Sequence, residues 1–168
     1  MALVLDGDEA LLRPLRREDE PILWEMLYHA IHVPEGAAPP PREIVREPGL
    51  RHYVQGWGRV GDLGVLAEVG GMPVGAAWAR LLTGDDRGYG YVDDATAELS
   101  IAVLPAYRGR GIGTRLLERL LDAARERGHD LCLSVQADNA ARRLYERMGF
   151  VTLATEGGGL TMVRRWGC

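Results

Sequence analysis

The sequence predicts an α+β fold, and three observations carry that expectation. Strand-like and helix-like patterns follow one another along the chain. An apolar strand pattern at Glu98–Leu104 runs through the glycine-rich Arg108–Thr114 into a long helical stripe. Two apolar runs on either side of Gly70-Gly71 form a hairpin pattern. At 168 residues, one domain over 1–168 is the simplest organisation, large enough to bury about two thirds of its unfolded surface.

Taken in order, Ala10–Leu15 reads as a first strand, with Pro14 placing it at an edge or at its end. A helix start follows: Asp19 can cap, Pro21 suits a first turn, and Ile22, Leu23, Met26, Leu27, Ala30 and Ile31 recur with helical period. Val33–Pro48 contains Gly36 and five prolines, which predicts a loop with one short helix around Arg42–Arg46. Tyr53 and Trp57 punctuate a segment of helical character; core packing is the default for both, with lining of a cleft the alternative. Leu63–Val69 and Met72–Leu82 pair around Gly70-Gly71, because a primed turn wants positive φ at both central residues. Thr83–Thr96 is polar and turn-rich, and its acids Asp85, Asp86, Asp93 and Asp94, beside Tyr89 and Tyr91, are expected in a solvated loop, with recruitment of a cationic amine the alternative.

Beyond the glycine loop, Ile112, Leu116, Leu117, Leu120, Leu121 and Ala124 form one helical stripe that Gly128 ends. Leu131, Leu133 and Val135 mark a strand. Asp138 or Asn139 caps a short helix bearing Ala141, Leu144, Tyr145 and Met148, and Gly149 closes it. Phe150–Ala154 and Leu160–Trp166 form a last hairpin around Gly157-Gly158-Gly159.

A strand that ends in a glycine-rich turn and opens a helix aims backbone N–H groups at one spot, where the helix dipole also favours an anion. Two familiar phosphate loops fail here. A P-loop needs a lysine, and all 20 basic residues of this chain are arginine. Gly109, Gly111 and Gly113 give G-x-G-x-G, not the dinucleotide fingerprint G-x-G-x-x-G, which also disfavours a nucleotide-binding regulator.

Arg108, Gly111 and Gly113 instead fit Gln/Arg-x-x-Gly-x-Gly/Ala, and the stretch resembles the acetyl-CoA loop of the GNAT N-acetyltransferase superfamily. The resemblance extends to Ile101–Tyr107 before the loop and to Asn139–Phe150 after it. It implies a central twisted mixed β-sheet flanked by helices, with acetyl-CoA as cosubstrate and no metal. It further implies that Arg108, Gly109, Arg110, Gly111, Ile112, Gly113 and Thr114 hold the pyrophosphate. Backbone N–H groups of Ile101, Ala102 and Val103 would bind the pantetheine and stabilise the oxyanion. Asn139 matches the family's cofactor-binding asparagine in a shorter variant, whereas the commoner spacing falls on Asp138.

Two residues take catalytic roles by the same resemblance. Glu98 matches a glutamate that removes the amine proton, the alternative being an ordinary salt-bridged strand-end acid. Tyr145 matches the tyrosine that protonates the departing thiolate, the alternative being a half-buried helix tyrosine. The implied reaction moves acetyl to a primary amine, on a small molecule or a peptide, by direct attack in a ternary complex. A non-catalytic acyl-CoA-binding or sensor module of the same fold is the rival reading. Val33–Trp57 and Thr83–Thr96 are where recognition of the amine is expected, and a homodimer is expected by analogy alone.

Composition narrows the partners. A net charge of −4 argues against nucleic acid or an anionic membrane surface. No apolar run reaches membrane-spanning length, and Met1–Asp6 lacks a basic leader, so a cytoplasmic setting is expected. Cys132 and Cys168 are expected as reduced thiols. His29 and His32, at i and i+3, lack a third ligand and are expected to hold no metal. Arg115, Arg142 and Arg143 lie in the two segments assigned to the cofactor, either as phosphate partners or by general arginine usage.

Overall fold

A seven-stranded mixed sheet forms the frame of the computed structural model, in which residues 9–167 are described. The elements run β1 (Leu11–Pro14), α1 (Glu20–Ala30), α2 (Pro48–Arg51), β2 (Leu63–Val69), β3 (Met72–Arg80), β4 (Ala97–Val103), α3 (Ile112–Glu126), β5 (Leu131–Gln136), α4 (Ala141–Arg147), β6 (Val151–Glu156) and β7 (Gly159–Arg164). Sheet order is β1-β2-β3-β4-β5-β7-β6, antiparallel throughout except for β4 beside β5. Pro14 sits on an edge strand, where its missing N–H breaks no central ladder.

Most elements stand where the sequence places them, with three adjustments. Arg42–Arg46 forms a 3₁₀ turn, and the helical character near Tyr53 is confined to α2 and the turns after it. The last hairpin turns on Gly157-Gly158 alone, because Gly159 already pairs with Glu156. Cys132 is buried along with Leu131 and Leu133, so the N-terminal half of β5 is apolar on both faces, as suits an interior strand. It is a free thiol. Cys168 and Met1–Asp6 lie outside the described residues.

Two cores lie on opposite faces of the sheet. The apolar stripe of α3 covers β2 and β3, with Leu116, Leu117 and Leu120 fully buried. On the other face α1 lies over β4, and Leu23, Met26, Val54, Trp57 and Trp78 close the second core. Each face is thus sealed by an amphipathic helix. Among the described residues no helix is long and apolar enough to cross a membrane.

Candidate active site

The site begins where β4 and β5 part. Their parallel register holds only at Ala97↔Leu131 and Glu98↔Cys132, after which the strands splay. The Leu104 N–H bonds Val74 O, and the Ala97 N–H bonds Asp130 O on the other side. Alternation along the strand therefore turns the backbone groups of Ala102 toward β3 and those of Ile101 and Val103 toward the opening. Of the three amides expected to meet pantetheine, the Ala102 amide is engaged in the ladder. Ile101 and Val103 keep theirs for a ligand.

The glycine loop closes the far end of this opening. Gly109 and Gly111 have φ of 76° and 79°, a region that side chains resist, which explains their place in a turn this tight. Gly111 also precedes the first residue of α3, and no side chain caps that helix. The first-turn amides from Ile112, Gly113 and Thr114 consequently lack intrahelical partners, the arrangement that receives an anion. Gly113 lines the opening with Val103, and the Arg108 Nε–H donates to Val103 O at 3.0 Å, tying loop to strand end. The Arg110 guanidinium is exposed and lies over Tyr107.

Arg115 does not join this group. Its guanidinium turns away to donate to Ala10 O at 2.8 Å, fastening α3 to the start of β1. Arg142 pairs with Glu146 one helical turn on, at 2.9 Å. Asn139 lines the cleft, whereas Asp138 faces outward and approaches His32 at 3.3 Å. Asn139 Oδ1 accepts the Ala141 N–H at 2.9 Å, which fixes the entry into α4. His29 pairs with Glu25, and among the described residues no cluster suited to a metal ion exists.

Glu98 sits on the face of β4 covered by α1 and is 5% exposed. It is not a salt-bridged strand-end acid. Its Oε2 accepts a 2.5 Å hydrogen bond from the Tyr53 hydroxyl, and its Oε1 is buried without a partner. Burial pushes the carboxyl up to about 6, with Tyr53 and the backbone of Gly90 opposing the rise. The Tyr53 oxygen in turn accepts the Tyr89 N–H at 2.9 Å, so the Thr83–Thr96 loop reaches the site through its backbone. Burial and the Glu98 charge hold the Tyr53 phenol far above its usual range, and it remains a donor.

Gly88 and Gly90 explain why that loop lies so close. A Cβ at Gly88 would collide with Glu98 Oε1, and one at Gly90 would meet the Leu133 backbone at 2.6 Å. Three of the four acids of the loop have partners elsewhere. Asp93 holds the Ala95 N–H and the Thr96 hydroxyl, Asp94 accepts from Tyr91, and Asp86 faces His52. None lines the cleft beside Glu98.

Tyr145 projects from α4 into the same space and packs edge-on against Phe150 at 5.9 Å between ring centroids. Burial pushes its phenol up to about 12, which keeps the proton on at neutral pH. It lines both a cavity of about 710 Å³ that reaches Arg108 and Gly113 and one of about 230 Å³ that ends at Glu98. Ile101 and Asn139 also border both. A long cofactor could enter from the glycine loop and meet an amine arriving from the Glu98 side at Tyr145. Tyr53 takes the alternative left open for it and lines this cleft, whereas its bond to an acid 45 residues away has no local signal in the sequence.

A splayed β4–β5 pair, an uncapped helix opening from a glycine loop, and an acid and a phenol thus meet around one cleft. The chain belongs to the acetyltransferase (GNAT) family, whose model matches residues 24–150. Over 60 residues it is 45% identical to a [ribosomal protein bS18]-alanine N-acetyltransferase of Haemophilus influenzae, covering 35% of this chain and 40% of that protein. Over 52 residues it is 56% identical to the N-alpha-acetyltransferase RimI of Mycobacterium tuberculosis, covering 30% and 32%. The matched region thus spans well under half of these relatives. Solved structures extend the likeness over the fold. A ribosomal-protein-alanine N-acetyltransferase from Brucella melitensis matches at 26% identity and a TM-score of 0.66, covering 93% of this chain and 99% of that one. The yncA acetyltransferase of Salmonella typhimurium, solved with acetyl-CoA, matches at 24% identity, a TM-score of 0.65 and 93% of each chain.

Proposed function

We propose that the protein transfers acetyl from acetyl-CoA to a primary amine by direct attack in a ternary complex. One observation carries the reading: Glu98 and Tyr145 border the same space, which opens at its other end onto the glycine loop. Ile101 and Val103 would bind the pantetheine, and the loop Arg108–Thr114 the pyrophosphate, with Asn139 at the cleft wall. The thioester is already activated, so holding amine and carbonyl in line supplies much of the rate.

The roles follow from the two environments. Glu98, ionised above about pH 6, accepts a proton from the ammonium, directly or through a water, to leave a neutral nucleophile. Attack forms the C–N bond, and the free amides of β4 are placed to hold the oxyanion. Collapse breaks the C–S bond, the Tyr145 hydroxyl gives its proton to the thiolate, and the amide nitrogen gives up its second proton to solvent. Solvent then takes the proton from Glu98 and returns one to Tyr145. A cytoplasmic setting and a homodimer are proposed with this reading, the second by analogy with the family alone.

The test is calorimetric binding of acetyl-CoA together with release of free thiol across a panel of amines. Binding and amine-dependent release are expected. Binding without release would mark a non-catalytic acyl-CoA-binding module, and no binding would overturn the reading altogether. Tyr145→Phe should lower kcat while leaving acetyl-CoA affinity within about threefold, the pattern of a group acting only in the transition state.

A further inference from the structure

The cavity ending at Glu98 has a one-sided charge. Leu27, Leu50, Leu133 and Val135 supply most of its wall, with the rings of Tyr53 and Tyr89. Its polar side chains are Glu98, the neutral Ser100, Ser134 and Asn139, and the hydroxyls of Tyr53, Tyr89 and Tyr145. Among the described residues no arginine lines it, and the chain has no lysine.

The arginines near enough to matter are held elsewhere. Arg80 is opposite Glu98 in the sheet register, yet its guanidinium is 1% exposed and bound to Asp62, His52 O and Gln55 O. Arg87 lies over the Tyr91 ring at 4.2 Å. Arg108 belongs to the opposite end of the cleft, against Val103. His52 packs edge-on against Tyr53, and burial lowers its pKa, so it brings no charge at neutral pH.

A free α-amino acid would bring its carboxylate within two bonds of the reacting nitrogen. That carboxylate would enter an apolar cavity beside the Glu98 carboxylate, with no cation to meet it. Resting on the proposed activity, we infer that the acceptor is a primary amine on an apolar, uncharged body, with no carboxylate beside the nitrogen. A peptide N-terminus and a simple alkylamine share that chemistry. Free amino acids are disfavoured.

The test uses the full chain with CoA bound and three ligands of one shape: leucine, leucinamide and 3-methylbutylamine, plus a leucine-initiated tetrapeptide amide. Calorimetry reads binding whether or not turnover occurs, so the result stands apart from the proposed reaction. Leucinamide should bind at least about tenfold more tightly than leucine, a difference expected for a charged group left unpaired. Equal or tighter binding of leucine overturns the inference. Tighter binding of the tetrapeptide than of 3-methylbutylamine identifies a peptide source, and the reverse order a small amine, each within the proposed class.

A second variant separates charge from shape. Tyr89→Arg changes an exposed side chain at the cavity mouth and keeps the backbone N–H that Tyr53 accepts. It should narrow the leucinamide-to-leucine ratio at least about threefold by offering the carboxylate a partner. An unchanged ratio would mean that charge does not set the preference, and would overturn the inference equally.

Discussion

Arg80 and Glu98 are cross-strand partners in the β3–β4 register, both buried on the same face, yet they do not form a salt bridge. Asp62 takes the Arg80 guanidinium instead, with contacts of 3.0 Å to Nε and 2.7 Å to Nη2, and two backbone carbonyls complete its shell. The diversion decides the state of Glu98. A carboxylate paired with arginine would be held well below the usual range, and a base with so low a pKa accepts protons poorly. With only Tyr53 and the Gly90 backbone opposing its burial, the Glu98 carboxyl is held up at about 6, in the range that the proposed base would need.

Asp62→Asn tests that arrangement. Removing the charge leaves Arg80 buried without its counter-ion, which should cost about 3–5 kcal/mol of stability in a denaturant titration. The released guanidinium has Glu98 as its cross-strand partner in the register. The acid limb of the kcat/KM profile should therefore move to lower pH, with a reduced maximum. A limb that stays in place would show that Arg80 does not reach Glu98 even when freed.

Tyr53→Phe acts on the same carboxylate from the other side. The Tyr53 hydroxyl donates to Glu98 and accepts the Tyr89 N–H, so its loss strips the acid of its one side-chain hydrogen bond and the loop of an anchor. With only the Gly90 backbone left to oppose burial, the Glu98 carboxyl should rise and the acid limb shift upward. The orphaned groups should lower stability by about 1–3 kcal/mol. A falling rate with no movement of the limb would restrict Tyr53 to shaping the cavity.

The same trio marks the boundary of what the sequence made legible. Hairpin glycines, helical stripes and the loop after β4 are local signals, each written within a dozen residues, and the strands and helices they predict stand in the structure. The motif positions Glu98, Tyr145 and Asn139 were legible through the family pattern, and all three border one cleft. The Tyr53–Glu98 bond was not, because a contact across 45 residues depends on how α2 and the Thr83–Thr96 loop fold over the sheet. Which of its two readings Arg115 follows was closed to the sequence for the same reason. Adjacency to the glycine loop says nothing of which way a helical side chain points, and it points to Ala10.

Gly88→Ala isolates the approach of the loop to the acid. The backbone at Gly88 is not in the left-handed region, so alanine brings no strain of its own. Its Cβ would instead collide with Glu98 Oε1 and come within 2.6 Å of the Tyr53 hydroxyl. Either the loop withdraws or the carboxylate is displaced. A loss of kcat/KM of about tenfold or more is expected, with acetyl-CoA affinity unchanged, since misplacing a reacting group by an ångström is costly. Equal losses in affinity and rate would mean that the damage spreads to the glycine loop.

Glu98→Gln separates stability from activity through pH. Burial raises the Glu98 carboxyl from an ordinary 4.5 to about 6, so the folded protein holds this proton more tightly than the unfolded chain does. Its favourable contribution is complete below 4.5 and is lost as pH rises through about 6, a loss of about 2 kcal/mol once the acid is ionised. Glutamine is neutral at every pH and keeps a carbonyl to accept from Tyr53. The variant should therefore be more stable than the parent by up to about 2 kcal/mol in mildly alkaline solution, the two converging near pH 4 or so. Turnover should fall most where the parent acid is ionised, because glutamine cannot take the amine proton. Matching stabilities at both pH values would mean that Glu98 is not held up by burial, and the reason for assigning it the base would go with it.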